Sequence, residues 1–184
     1  MNNEPSQFTL YSGGHRGAEA EFGKLAEKYG VKEVNYSFEG HNPERNAGIR
    51  TLNQEELEKG NISMEIVSTR LSRSFSKGNK IRKVIQSIFH MVNSGYQIFV
   101  VGWILPDKTV KGGTGWGVEL GKLFNRPIFV YEQDRKAWFS WVDNDWQEVT
   151  PVIHHKTFAG TGTRNLTEDA VKAMEELFER TFSN

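Results

Sequence analysis

Gln97-Ile98-Phe99-Val100-Val101-Gly102-Trp103-Ile104-Leu105, with Lys111-Gly112-Gly113-Thr114-Gly115-Trp116-Gly117 close behind it, is the stretch that decides the fold. Its first part is an apolar run rich in Ile, Val and Phe, bounded by turn residues, as expected of a strand buried on both faces of a parallel sheet. The second part is a glycine loop, after which Val118, Leu120 and Leu123 lie on a helix that leads to the strand Pro127 to Glu132. Strand, glycine loop, helix and strand in that order form a parallel βαβ unit.

The same order recurs at the N-terminus. Phe8 to Tyr11 reads as a short strand, Ser12-Gly13-Gly14-His15-Arg16-Gly17 breaks it, and Ala18, Phe22, Leu25, Ala26 and Tyr29 follow at helical spacing. Gly30 suits the end of that helix, and Val34, Tyr36 and Phe38 alternate as a second strand. Glu39 to Asn53 is polar, with Gly40, Pro43 and Gly48, and is expected to be a long functional loop. Ser63 to Phe75 is read as a helix carrying Met64, Val67 and Leu71 on one face, and Ser76-Lys77-Gly78-Asn79 separates it from the next element. That element is the clearest helix, with a stripe of Ile81, Val84, Ile85, Ile88 and Val92 and with Gly95 just past its end.

Beyond the deciding stretch, Ala137 to Val142 and Trp146 to Val149 flank the turn Asp143-Asn144-Asp145 as a hairpin. Thr157 to Ala159 is read as a last short strand. Gly160-Thr161-Gly162-Thr163-Arg164-Asn165 then opens a C-terminal helix with Val171, Met174, Phe178 and Phe182 on its apolar face and a capping box expected between Asn165 and Glu168. The whole predicts one α/β domain over 1–184. Its fold class is a Rossmann-like, mainly parallel sheet flanked by helices on both faces, with a C-terminal β-hairpin and terminal helix.

Composition narrows the function. Lys plus Arg equals Asp plus Glu at 23 each, so the chain has no broad basic field for nucleic acid, and any anion must be held locally. The absence of cysteine excludes disulfides, thiolate nucleophiles and zinc-thiolate or iron–sulfur sites, and suits a reducing compartment. No basic region followed by an apolar stretch opens the chain, and its longest apolar run is too short to span a bilayer. A cytoplasmic location with no membrane partner is the expectation. The five histidines have no metal-ligand spacing, so no metal site is expected.

Loops that follow neighbouring parallel strands emerge at one edge and can share a crevice, where helix N-termini point free N–H groups and partial positive charge at an anion. Phosphate is the natural ligand. No loop is a Walker A sequence and none is a complete Gly-x-Gly-x-x-Gly fingerprint, which disfavours ATP hydrolysis and ordinary NAD chemistry. The candidate ligand-binding residues are Ser12, Gly13, Gly14, His15, Arg16, Gly17, Gly112, Gly113, Thr114, Gly115, Trp116 and Arg164. Trp116 stacks on a base in one reading and packs the loop onto the sheet in the other. Arg45 and Arg50 are weaker phosphate candidates. Glu119, in the first turn or two of the helix after the second glycine loop, is the candidate catalytic group: it either complements the helix dipole or meets a ribose as hydrogen-bond partner, acid or base.

Gly112 to Glu119 resembles the Pro-Gly-Gly-x-Gly-Thr-x-x-Glu signature of the lysine-decarboxylase-like, or Lonely-Guy, phosphoribohydrolases. Together with Ser12 to Gly17 it resembles the wider SLOG superfamily of Rossmann-like nucleotide-binding proteins. The stretch Gly112 to Trp141 is more similar still to the molybdenum-carrier branch. Lys111 stands where the phosphoribohydrolase signature has proline, and Trp116 where it has threonine. The resemblance implies a nucleotide or nucleotide-derived phosphorylated ligand, often a homodimer, and no certain cofactor. N-glycoside hydrolysis through Glu119 and carriage of molybdate or a similar oxyanion are the alternatives.

Overall fold

The computed structural model describes residues 3–75 and 78–183, so the readings made on Met1, Asn2, Ser76 and Lys77 lie outside the described residues. After a 3-10 turn at Pro5–Gln7 come β1 (Thr9–Ser12), α1 (Ala18–Tyr29), β2 (Lys32–Phe38) and β3 (Ile49–Leu52). Three helices follow, α2 (Gln54–Glu58), α3 (Asn61–Leu71) and α4 (Asn79–Ser94), and lead to β4 (Gln97–Gly102). The chain continues through α5 (Thr114–Leu123), β5 (Ile128–Glu132), β6 (Ala137–Val142), β7 (Asp145–Val149), β8 (Thr157–Gly162) and α6 (Glu168–Phe182). The strands form one mixed sheet in the order β3-β2-β1-β8-β4-β5-β6-β7. Pairing is parallel from β3 across to β5 and antiparallel where the β6–β7 hairpin extends the edge.

The apolar run of β4 does what its composition predicts. All of its residues are buried, and they alternate between two cores. Ile98 and Val100 join Ile88, Val92, Val118 and Leu120 from α4 and α5, whereas Phe99 and Val101 join Phe22, Leu25 and Phe178 from α1 and α6. Each large apolar side chain so buried contributes roughly 1.5–3 kcal/mol. Helices therefore cover both faces because both faces of the central strands are apolar.

Four elements differ from the sequence reading. The polar segment 39–53 contains the edge strand β3, where only Leu52 is buried, so no alternation marks it. A short capped helix, α2, precedes α3, and Asn53 and Glu56 form its capping box. At the last helix the cap is Thr167, whose hydroxyl accepts from the Ala170 amide, and not Asn165. β8 also runs to Gly162 and lies at the centre of the sheet between β1 and β4. Gly160 looks like loop in the sequence, but a Cβ there would come within 2.6 Å of the Phe22 ring. The glycine leaves room for α1 to pack across the strand.

Candidate functional site

β1, β8 and β4 run parallel, so their carboxyl ends share one edge. The chain leaves β1 toward one side of the sheet and β4 toward the other, and a crevice opens where the direction reverses. It is a cleft of about 460 Å³, bordered by the first and second glycine loops, the end of β8 and the α4 face carrying Val84 and Ile88. Of the residues proposed from the sequence, His15, Gly112, Gly113, Thr114 and Arg164 line it.

The second loop is the open one. After β4, Ile104 and Val110 pair across a small antiparallel excursion, and the Lys111 amide donates to the Trp103 carbonyl, so Trp103 and Lys111 stand together at the rim. The Lys111 ammonium lies 5.4 Å from the Trp103 ring centroid, and the Trp103 indole N–H donates to Asp134. Arg73 donates to the carbonyl of Gly112 at 2.7 Å and holds the turn from behind. Gly112 and Gly113 have nothing within 4 Å of where a Cβ would stand. Among the described residues the amides of Gly112, Gly113 and Thr114 have no acceptor, and they sit at the positive end of α5.

The first loop is closed on itself. The amides of His15, Ala18 and Ala20 donate to Glu19, to the Thr163 carbonyl and to the His15 carbonyl. Ser12 is buried and its hydroxyl donates to the Gly160 carbonyl at 2.6 Å. Gly13, Gly14 and Gly17 are each packed against the protein's own atoms, and Arg16 is exposed beyond the cleft lining. Of this loop only His15 lines the cleft, so its other residues are not placed where the ligand of the second loop would lie.

Five more residues are placed away from the cleft. Trp116 is buried against Phe75 at a ring-centroid distance of 6.0 Å and faces the core, as the packing alternative has it. Gly115 is likewise buried, next to the Val110 carbonyl. Glu119 lies outside the cleft lining, where its carboxylate meets the Lys122 ammonium at 2.7 Å and that ammonium sits 3.7 Å from the Trp141 ring centroid. The cause is the helix start. The sequence reading opens the helix after Gly117, but α5 begins at Thr114, which puts Glu119 in the second turn and rotates it away. Arg45, held by Glu33 and Glu27, and Arg50, paired with Glu56, are not placed on the cleft either.

The carboxylate that does reach the cleft is Glu19, the second residue of α1, which the sequence reading missed. The signal was present: an acidic residue in the first turn after a glycine loop is the same cue that singled out Glu119. Glu19 is buried, with its Oε2 2.6 Å from His15 Nδ1 and its Oε1 accepting from the Thr161 hydroxyl at 2.8 Å. His15 Nε2 lies 3.0 Å from Nε2 of His41, whose Nδ1 lies 2.9 Å from the Ser37 hydroxyl. Burial alone would raise the Glu19 carboxyl, but the hydrogen bonds from His15 and Thr161 and the His15 charge hold it below its usual range. Burial alone would lower His15, but its bond to Glu19 and that carboxylate's charge hold it above its usual range. Burial, and then the positive charge of His15, push His41 down to about 4.

These shifts give a pH dependence of stability. A histidine kept neutral in the fold binds a proton in the unfolded chain first, so the His41 contribution is lost as pH falls from about 6.5 to about 4. Glu19, depressed in the fold, loses its contribution as pH falls further through its folded value, whereas His15, raised, loses its own as pH rises through its folded value. Denaturant midpoints are expected to be highest near neutrality and lower at pH 4.5 than at pH 7. Equal midpoints at those two values would contradict the assignment.

Among the described residues, no three His, Cys, Asp or Glu side chains gather as a metal site. No helix of the described chain is long and apolar enough to cross a membrane. The fold and the placement of the cleft define a doubly wound, Rossmann-like α/β protein with its crevice at the carboxyl edge of the sheet. No family model and no curated protein matches the chain. Its fold is shared with a crystal structure named as a putative molybdenum carrier protein from Syntrophus aciditrophicus SB. The TM-score is 0.54 at 14% identity, covering 100% of this chain and 99% of that one.

Proposed function

We propose that the cleft binds a small phosphorylated ligand of nucleotide type, its phosphate on the Lys111–Thr114 turn. The observation that carries this reading is the turn itself: three amides at the start of α5 without acceptors among the described residues, bare of side chains at Gly112 and Gly113. Lys111 and Arg164 add two cations to the lining, and the cleft volume suits a ligand of mononucleotide size. Val84, Ile88 and the Trp103 ring supply apolar walls for an organic moiety. The resemblance to the SLOG superfamily supports the same reading. A carrier of molybdate or a similar oxyanion is the second reading, favoured by the name of the structural neighbour and served by the same amides.

Titration of the intrinsic tryptophan emission with AMP and with molybdate, Trp103 being the tryptophan that lines the cleft, separates the two. Gly113 has helical backbone angles and open space at its Cβ position, so Gly113→Val is expected to fold normally and to weaken AMP binding at least about tenfold. Unchanged AMP affinity in that variant removes the proposal. Saturation by molybdate with no response to AMP transfers the site to the oxyanion reading.

A further inference from the structure

His15 and His41 meet Nε2 to Nε2 at 3.0 Å, a distance that requires one hydrogen between the two nitrogens. Glu19 Oε2 accepts from both the amide and Nδ1 of His15, so Nδ1 carries a proton in every state. When Nε2 carries one too, it donates to the His41 lone pair, and His41 Nδ1–H donates to Ser37. His41 is set for this by stacking on Phe38, with ring centroids 4.7 Å apart. Resting on the anion-binding reading above, we propose that His15 is the switchable charge of the cleft. As an imidazolium clamped between Glu19 and His41 it cancels the buried carboxylate on the wall facing the anion, and its deprotonation leaves that carboxylate unbalanced and weakens anion binding.

The charged groups around the pair agree with that role. Glu19 on α1 favours the proton, while Arg164 after β8 and Lys80 at the start of α4 oppose it, and Lys111 before α5 lines the same cleft. An anion seated at Gly113 offsets those cations, so by linkage its binding and the protonation of His15 favour each other. The buried position of Glu19 makes its charge felt across the cleft more strongly than a solvated carboxylate would be.

The test has two readouts on the full chain. Imidazole nitrogen NMR of the free protein between pH 5 and 9 is expected to give His15 a midpoint above 6.5, with His41 neutral down to about pH 5. A neutral His15 at pH 6 overturns the inference. Sulfate, a dianion over this whole range, is then titrated against the Gly113 amide resonance. Wild-type affinity is expected to be about tenfold higher at pH 6 than at pH 9. At pH 9, where Glu19 is charged with or without its partner, His15→Gln is expected to bind as weakly as wild type, and Glu19→Gln is expected to be strong and flat with pH, because the buried charge is gone. Glu19→Gln decides the point if it folds, since a merely structural role would not raise affinity at pH 9 to the wild-type value at pH 6. Wild-type binding that is equal at both pH values overturns the inference while leaving the anion site standing. No response of Gly113 to sulfate or AMP at any pH overturns the anion reading and this inference with it.

Discussion

Gly17→Ala is expected to lower the unfolding free energy by about 3–5 kcal/mol, far more than any change at the open second loop. Gly17 has φ 93° and ψ −128°, a conformation that side-chain-bearing residues avoid, and its added Cβ would lie 2.4 Å from the Thr163 carbonyl oxygen and 2.5 Å from Arg164 Cα. Both are backbone atoms, so no side-chain rotation relieves the contact. The start of α1 would have to separate from the loop after β8, breaking the bond from the Ala18 amide to Thr163 and disturbing the Glu19 contact to Thr161. Gly113→Ala is the control: with helical backbone and open space, it is expected within about 0.5 kcal/mol of wild type. Denaturant unfolding at pH 7 measures both, and a loss below about 1 kcal/mol for Gly17→Ala would mean that the two loops are not locked together.

Arg45→Ala is expected to cost about 2–4 kcal/mol through a different mechanism. The Arg45 guanidinium grips Glu33 with two hydrogen bonds of 2.7 Å and also reaches Glu27 at 2.9 Å. The Glu33 side chain is only 7% exposed and the Arg45 side chain 14%, so removing the cation strands a nearly buried carboxylate beside Asn35. The Glu27 arm reaches open solvent and contributes little. Arg45 crosses α1 over Gly23 and ties down the segment that carries His41, so amide exchange in 39–47 should rise with the loss of stability. The double variant Glu33→Gln with Arg45→Ala should recover part of the loss, because the stranded charge goes. A single variant as stable as wild type would place this pair among solvated surface contacts.

Local pattern sufficed for the alternation of strand and helix, and failed at β3 and α2, where few residues are buried and periodicity has nothing to report. The candidate site divides the same way. A glycine loop can be recognised in sequence, but whether its amides face a ligand or the protein depends on which segments pack beside it. Gly14 is enclosed by Asn35, Pro43 and Arg45 and Gly17 by Thr163 and Arg164, whereas Gly112 and Gly113 face open space. The error between Glu119 and Glu19 came from a few residues of helix onset, since each residue turns a helical side chain by 100°.

By itself, then, the amino-acid order determined that buried strands alternate with amphipathic helices, because burial on both faces demands apolar runs and helix faces demand their own period. Tertiary structure alone decided that β8 returns to the centre of the sheet, that Glu19 meets Thr161 there and that His15 meets His41. Those contacts link residues far apart in the chain, and no local period records which distant segments will meet.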